Sequence, residues 1–201
     1  MTTLWLIRHG QTDWNKEGRY QGQLDIPLNA EGLLQAEEAA LRAAASGEQF
    51  SAIYSSDLLR ARQTAETVAR RLSLEVQFDG RLREIYLGQW QGRLHAEVRK
   101  ERAAASTAVT DSTQVADPNI PHAPGGESVA QVAERASQAV ESIIRRHPQG
   151  SVIVVAHGVV IASLLCAVRG VPLCDFRTQS VRNAEVTAVL WPPTPPPAAD
   201  R

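Results

Sequence analysis

Cysteine is scarce in this 201-residue chain. Cys166 and Cys174 have no metal-ligand spacing and are too few for a disulfide framework. Both are expected as free thiols in a reducing, cytoplasmic setting. Charge of one sign is also missing: 21 basic residues face 22 acidic ones, for a formal net charge of −1. That balance excludes a global footprint for nucleic acid or an anionic membrane, while leaving room for a local cationic pocket. Long apolar runs are absent too, since the longest, 158–168, is closed by Arg169 and falls short of the ~20 residues a membrane span needs. Only Met1, Thr2 and Thr3 precede the first apolar run and Arg8 interrupts it, so no secretory signal is expected. There is no GxGxxG and no Walker lysine loop, and no HExxH or carboxylate ligand spacing. A resident nucleotide cofactor or metal is therefore not expected.

What is present has the make-up of a globular α/β protein, with 43% hydrophobic and 21% charged residues. Five β-rich runs stand at 3–7, 52–55, 74–78, 151–156 and 185–191. Helical periodicity separates several of them, which predicts an α/β fold with a mostly parallel sheet. Asn29 precedes a helix with Leu33, Ala36, Ala40 and Ala44 on one face. Asp57 is placed to cap the next, whose stripe is Leu58, Ala61, Ala65, Val68 and Leu72. Ser128 and Gln131 form the pattern of a capping box opening a third helix, striped by Val129, Val132, Ala136, Val140 and Ile143. The segment after Gly158 is apolar nearly all round and reads as a buried helix. A single domain over 1–191 is expected, with 103–124 as a loop or lid across a site mouth. Residues 192–201, holding five of the eleven prolines, are expected as an extended tail.

The chemistry concentrates at strand ends. Arg8-His9-Gly10 closes one apolar run and His157-Gly158 another, so two of only five histidines occupy matching positions. Ligands of parallel α/β sheets bind at the carboxyl ends of strands. Gly10 is expected to bring backbone N–H groups close to an anion, and the helix opening at Gly158 to add more. Arg60 falls in the first turn of a helix, against the dipole, a placement that makes sense if it faces an anion. Two imidazoles and two guanidiniums around an anion suit phosphoryl transfer, where positioning and charge stabilisation do the work. Glu84, among apolar residues and glycines, is the acid available to protonate a leaving alkoxide; the plainer alternative is a surface pair with Arg83.

At this point the pattern resembles a known family. Arg8-His9-Gly10-Gln11-Thr12-Asp13-Trp14-Asn15 is similar to the signature of the histidine phosphatase superfamily, in its phosphoglycerate mutase-like branch. The likeness continues through Gly22, Ser55-Ser56, Arg60, Glu84, Gly125-Gly126-Glu127-Ser128 and His157-Gly158 to Asn183. It implies a three-layer α/β/α sandwich, with His9 as the phosphorylated nucleophile and Glu84 as the proton donor. Arg8, Arg60, His157 and Gly158 would hold the phosphate, with Asn15 hydrogen-bonding nearby and Gln21 and Gly22 beside the substrate. No cofactor or metal is implied.

The expected activity is hydrolysis of small phosphomonoesters. The alternatives are a phosphoglycerate mutase, or a non-catalytic domain that binds phosphorylated metabolites. The family's mutases tend to be longer, with segments that cover the site, and this chain is short. Phosphoglycerate derivatives, phosphoserine, sugar phosphates and α-ribazole phosphate are all within the family's reach. Specificity is expected in 21–25 and 103–124, where His122 reads as an exposed loop residue, with a place lining the mouth as the alternative. No nucleic-acid or membrane partner is expected, and an exposed edge strand leaves room for a homodimer.

Overall fold

The structure is a computed structural model, and it describes residues 1–105 and 117–191. Five strands form one sheet: β1 (Thr2–Arg8), β2 (Phe50–Ser55), β3 (Val76–Phe78), β4 (Gly150–Ala156) and β5 (Val186–Trp191). Their spatial order is β3-β2-β4-β1-β5, parallel except for β5, which runs antiparallel along β1.

Both faces of the sheet are covered, so its central strands are apolar throughout. The two-residue side-chain period divides them between two cores. Leu4, Leu6, Val152 and Val154 face helices α5 (Val129–Arg146) and α6 (Gly158–Arg169). Ile7, Ile153 and Val155 face α2 (Ala30–Ala45) and α3 (Leu59–Leu72). The result is the expected α/β/α sandwich. Two short helices lie outside these layers, α1 (Asp13–Glu17) and α4 (His95–Ala105). No single helix among the described residues is long and apolar enough to cross a membrane.

The α5 stripe and its Ser128–Gln131 capping box stand as expected. Two other expectations need correction. In α2 the buried face is Gly32, Ala36, Ala39, Ala40 and Ala43, while Leu33 and Ala44 are exposed. Gly32 lies against the Gln11 backbone so closely that a Cβ would come within 2.0 Å of the Gln11 carbonyl oxygen. That approach sets the rotation of the helix. Asp57 does not cap α3, whose N-cap is Leu58 and makes no side-chain cap. Asp25, from a distant loop, accepts from the Leu59 N–H at 2.7 Å instead. Asp57 binds Arg83 through both carboxylate oxygens. Of the segment expected as a lid, 106–116 lies outside the described residues, as does the tail from 192.

Candidate active site

The site sits at the carboxyl ends of β1 and β4, and strand register builds it. These strands pair in parallel with Arg8 opposite Ala156, so the next residue of each is a histidine. The imidazole centroids of His9 and His157 lie 5.2 Å apart, close enough to touch one phosphate. β2 lies on the other side of β4 and delivers Ser56, whose hydroxyl is 2.8 Å from His157 Nε2.

His9 is 2% exposed and His157 fully buried. His9 Nδ1 lies 2.7 Å from the Gly10 carbonyl, which can only accept, so Nδ1 carries the proton and Nε2 keeps its lone pair. Burial holds the His9 pKa well below its ordinary value, and the positive charges of Arg60 and Arg8 push it lower. The same forces, burial first, keep His157 neutral. The backbone of His9 is tied from outside: its carbonyl accepts from the Asn183 amide and the Ala184 N–H.

Arg60 is 1% exposed, and two of its nitrogens are already taken. Nη1 donates to the Leu24 carbonyl and Nη2 to the Gly22 carbonyl, both at 2.8 Å. Burial lowers its pKa to about 10, so it stays cationic at neutral pH. Arg8 donates Nη1 to the Val181 carbonyl. What remains is telling: Arg8 Nε, Arg60 Nε and His157 Nδ1 are buried without a protein hydrogen-bond partner. Buried polar groups are seldom left so. Three such nitrogens around His9 are what an anion-binding hollow requires. A cavity of about 170 Å³ lies there, lined among others by Arg8, His9, Asn15, Gln21, Arg60 and Glu84.

Glu84 borders the same cavity as the arginines. Its Oε1 accepts from the Ile85 N–H at 2.9 Å, and Oε2 lies 3.4 Å from the Val159 N–H at the start of α6. Arg83 is paired with Asp57, so the surface-pair alternative for Glu84 does not hold. Asn15 spends its carboxamide oxygen on the Thr12 N–H and hydroxyl, which leaves its NH₂ to offer a ligand. Gln21 contributes a buried Oε1 with no protein partner. Gly22 both borders the cavity and supports Arg60 through its carbonyl.

Two expectations about this region are corrected, for Gly10 and His122. Gly10 does not offer its N–H to an anion: it donates to Thr64 Oγ1, and the glycine is needed because a Cβ would come within 2.4 Å of the Gly32 carbonyl. Gly158 lies beside Arg8 and Glu84 and also borders an adjoining cavity. His122 is half-buried at the mouth instead of exposed in a loop, with its pKa brought to about 4 by burial and by Arg177 and Arg102.

Sequence reasoning also passed over two supports. Ser56 orients His157. Arg135, on α5, donates to the backbone carbonyls of Arg81, Arg83 and Glu84 while pairing with Glu127. Nothing local in the sequence sets Arg135 apart from the other charged residues of α5.

A mostly parallel α/β sheet with a neutral imidazole beside fixed guanidiniums at its strand ends defines a phosphoryl-transfer class of protein. The chain belongs to the histidine phosphatase superfamily (branch 1), whose family model matches residues 4–196. It is 37% identical over 197 residues to a probable phosphoglycerate mutase GpmB of Shigella boydii, covering 95% of this chain and 88% of that one. Among solved structures it resembles YhfR of Bacillus stearothermophilus, with 38% identity, TM-score 0.81, and 94% and 90% of the two chains covered. It also resembles a mycobacterial glucosyl-3-phosphoglycerate phosphatase in complex with VO3, with 36% identity, TM-score 0.78, and 92% and 91% covered.

Proposed function

We propose that this protein hydrolyses small phosphomonoesters through a phosphohistidine on His9, with no metal or organic cofactor. The observation that carries the reading is the triad of unpartnered buried nitrogens beside an imidazole whose Nδ1 is committed. His9 Nε2 attacks phosphorus and forms an N–P bond as the bond to the ester oxygen breaks. Arg8 and Arg60 receive the charge spread over the equatorial oxygens. Ser56 Oγ accepts from the Leu58 N–H at 3.3 Å, which frees its own O–H to donate to His157 Nε2. In that tautomer His157 Nδ1 carries a proton toward the phosphate.

Glu84 in its acid form protonates the leaving oxygen. As carboxylate it then takes a proton from water, whose oxygen attacks phosphorus and displaces His9. Dividing the displacement in two lowers each barrier. The reading is supported by the likeness to a phosphatase and by the cavity's chemistry. The ligand would be a small phosphorylated metabolite.

A mutase is the second reading, favoured by the name carried by the curated relatives. One experiment tests both. The protein is incubated with 3-phosphoglycerate with and without a bisphosphoglycerate primer, and inorganic phosphate and 2-phosphoglycerate are measured. Primer-independent phosphate release, with acid-labile label trapped on His9 and lost in His9→Ala, is the expected result. Primer-dependent isomerisation without phosphate release would replace hydrolysis by transfer.

A further inference from the structure

Beside the catalytic cavity lies a second of about 410 Å³. The two share Arg8, Glu84 and Val159, so the group assigned to protonate the leaving oxygen stands on their common wall. The catalytic cavity alone, at about 170 Å³, is below the ~300 Å³ at the small end of ligand pockets. In the mechanism proposed above the ester oxygen meets Glu84, and the rest of the substrate continues past it. The neighbouring cavity is the space that meets this need.

Beyond Arg8 and Glu84 its walls are mostly apolar, with Ser180 and Arg177 as the further polar residues. Val159 and Ala162 come from α6, Phe176 from the 3₁₀ turn Leu173–Gln179, and Val181 from the strap whose carbonyl holds Arg8. At the rim Arg177 stacks over Phe176, its guanidinium carbon 5.2 Å from the ring centroid. Arg177 is exposed and forms no ion pair among the described residues. Its charge also reaches His122 at the mouth of the catalytic cavity.

We infer that this cavity is a leaving-group subsite for phosphomonoesters whose alcohol has an apolar body ending in a second anionic group, the body lying against Val159, Ala162, Phe176 and Val181 and the anion on Arg177. The inference rests on the hydrolytic reading above. Walls that are mostly apolar favour an aromatic or aliphatic body over a polyol, whose hydroxyl groups would lose water against Val159, Ala162, Phe176 and Val181. The rim cation favours a carboxylate over a neutral amide of the same shape.

The test compares 4-carboxyphenyl phosphate, 4-carbamoylphenyl phosphate and 3-phosphoglycerate, with phosphate release giving kcat/KM for each. The wild type is expected to favour the carboxylate over the amide by about fivefold, the order a partly exposed ion pair supplies. Arg177→Glu should abolish or invert that preference through KM. Ala162→Trp, which fills the cavity, should lower the ratio of the aryl esters to 3-phosphoglycerate by about tenfold. Ser180→Trp blocks the same space from an exposed position and gives the same readout if the buried substitution fails to fold. A carboxylate-to-amide ratio near one in the wild type, or one unmoved by Arg177→Glu, overturns the anion contact. An aryl ratio unmoved by both tryptophans overturns the subsite. In either case phosphate release from any ester leaves the hydrolytic reading standing, whereas no release from all three removes that reading and this inference with it.

Discussion

His9 and His157 use opposite ring nitrogens to stay oriented, a division of labour that fits the proposed roles of one in attack and the other in donation. Nδ1 of His9 is bound to the Gly10 carbonyl, while Nε2 of His157 meets Ser56. Around them the guanidiniums are only partly used: backbone carbonyls hold both terminal nitrogens of Arg60 and Nη1 of Arg8, and Nε of each is unpartnered. Truncating Arg60 to Ala should lower kcat by about 10²–10³, the scale for removing one transition-state donor. Steady-state kinetics with p-nitrophenyl phosphate checks this; normal turnover would take Arg60 out of the site. Glu84→Gln should slow an alkyl phosphate far more than p-nitrophenyl phosphate, whose leaving group needs little protonation. Equal losses for the two esters would count against a proton donor.

At the scale of elements, the loop at 21–25 does more than border the site. Its carbonyls at Gly22 and Leu24 grip Arg60, Gln23 donates to the Glu84 carbonyl, and Asp25 caps α3 one residue before Arg60. One short segment therefore couples Arg60 to Glu84, the proposed anion clamp to the proposed proton donor. Asp25→Ala should cost about 1 kcal/mol of stability, the usual value of an N-cap. It should also raise KM, because the turn carrying Arg60 loses an anchor. Urea unfolding alongside kinetics separates the effects, and a stability loss with unchanged KM would show that the cap serves the helix alone. The glycine contact between the loop after β1 and α2 is equally specific. Gly32→Ala would force a methyl group against the Gln11 carbonyl, and thermal unfolding should report a loss of about 1–3 kcal/mol.

For the whole molecule, the buried imidazoles link folding to pH. Folded His9 and His157 have pKa values well below the ~6.5 of an unfolded histidine, chiefly through burial, and His122 lies at about 4. Below about 6.5 the unfolded chain takes up protons that the native state refuses. Stability is thus complete above that pH and falls as the medium acidifies, by up to about 1.4 kcal/mol per pH unit for each imidazole. Denaturation midpoints measured from pH 7 down to pH 5 should decline steadily, and the decline should be shallower in His157→Asn. A midpoint that stays level across that interval would mean these rings are not held neutral by the fold.

Much of this protein is written in local pattern. The apolar runs, the α5 stripe and the Ser128–Gln131 box specify their elements because side-chain period and caps act over a few residues. The Arg8-His9 and His157-Gly158 strand ends were legible for the same reason. The pairing register that sets two imidazoles 5.2 Å apart joins segments almost 150 residues distant, and no local preference encodes it. Nor could sequence reveal that Asp25 rather than Asp57 caps α3, that Arg135 holds the backbone under Glu84, or that Gly10 serves helix approach instead of anion binding. Each of these depends on which groups packing leaves unsatisfied, a quantity that exists only once the sheet and its helices have closed around the core.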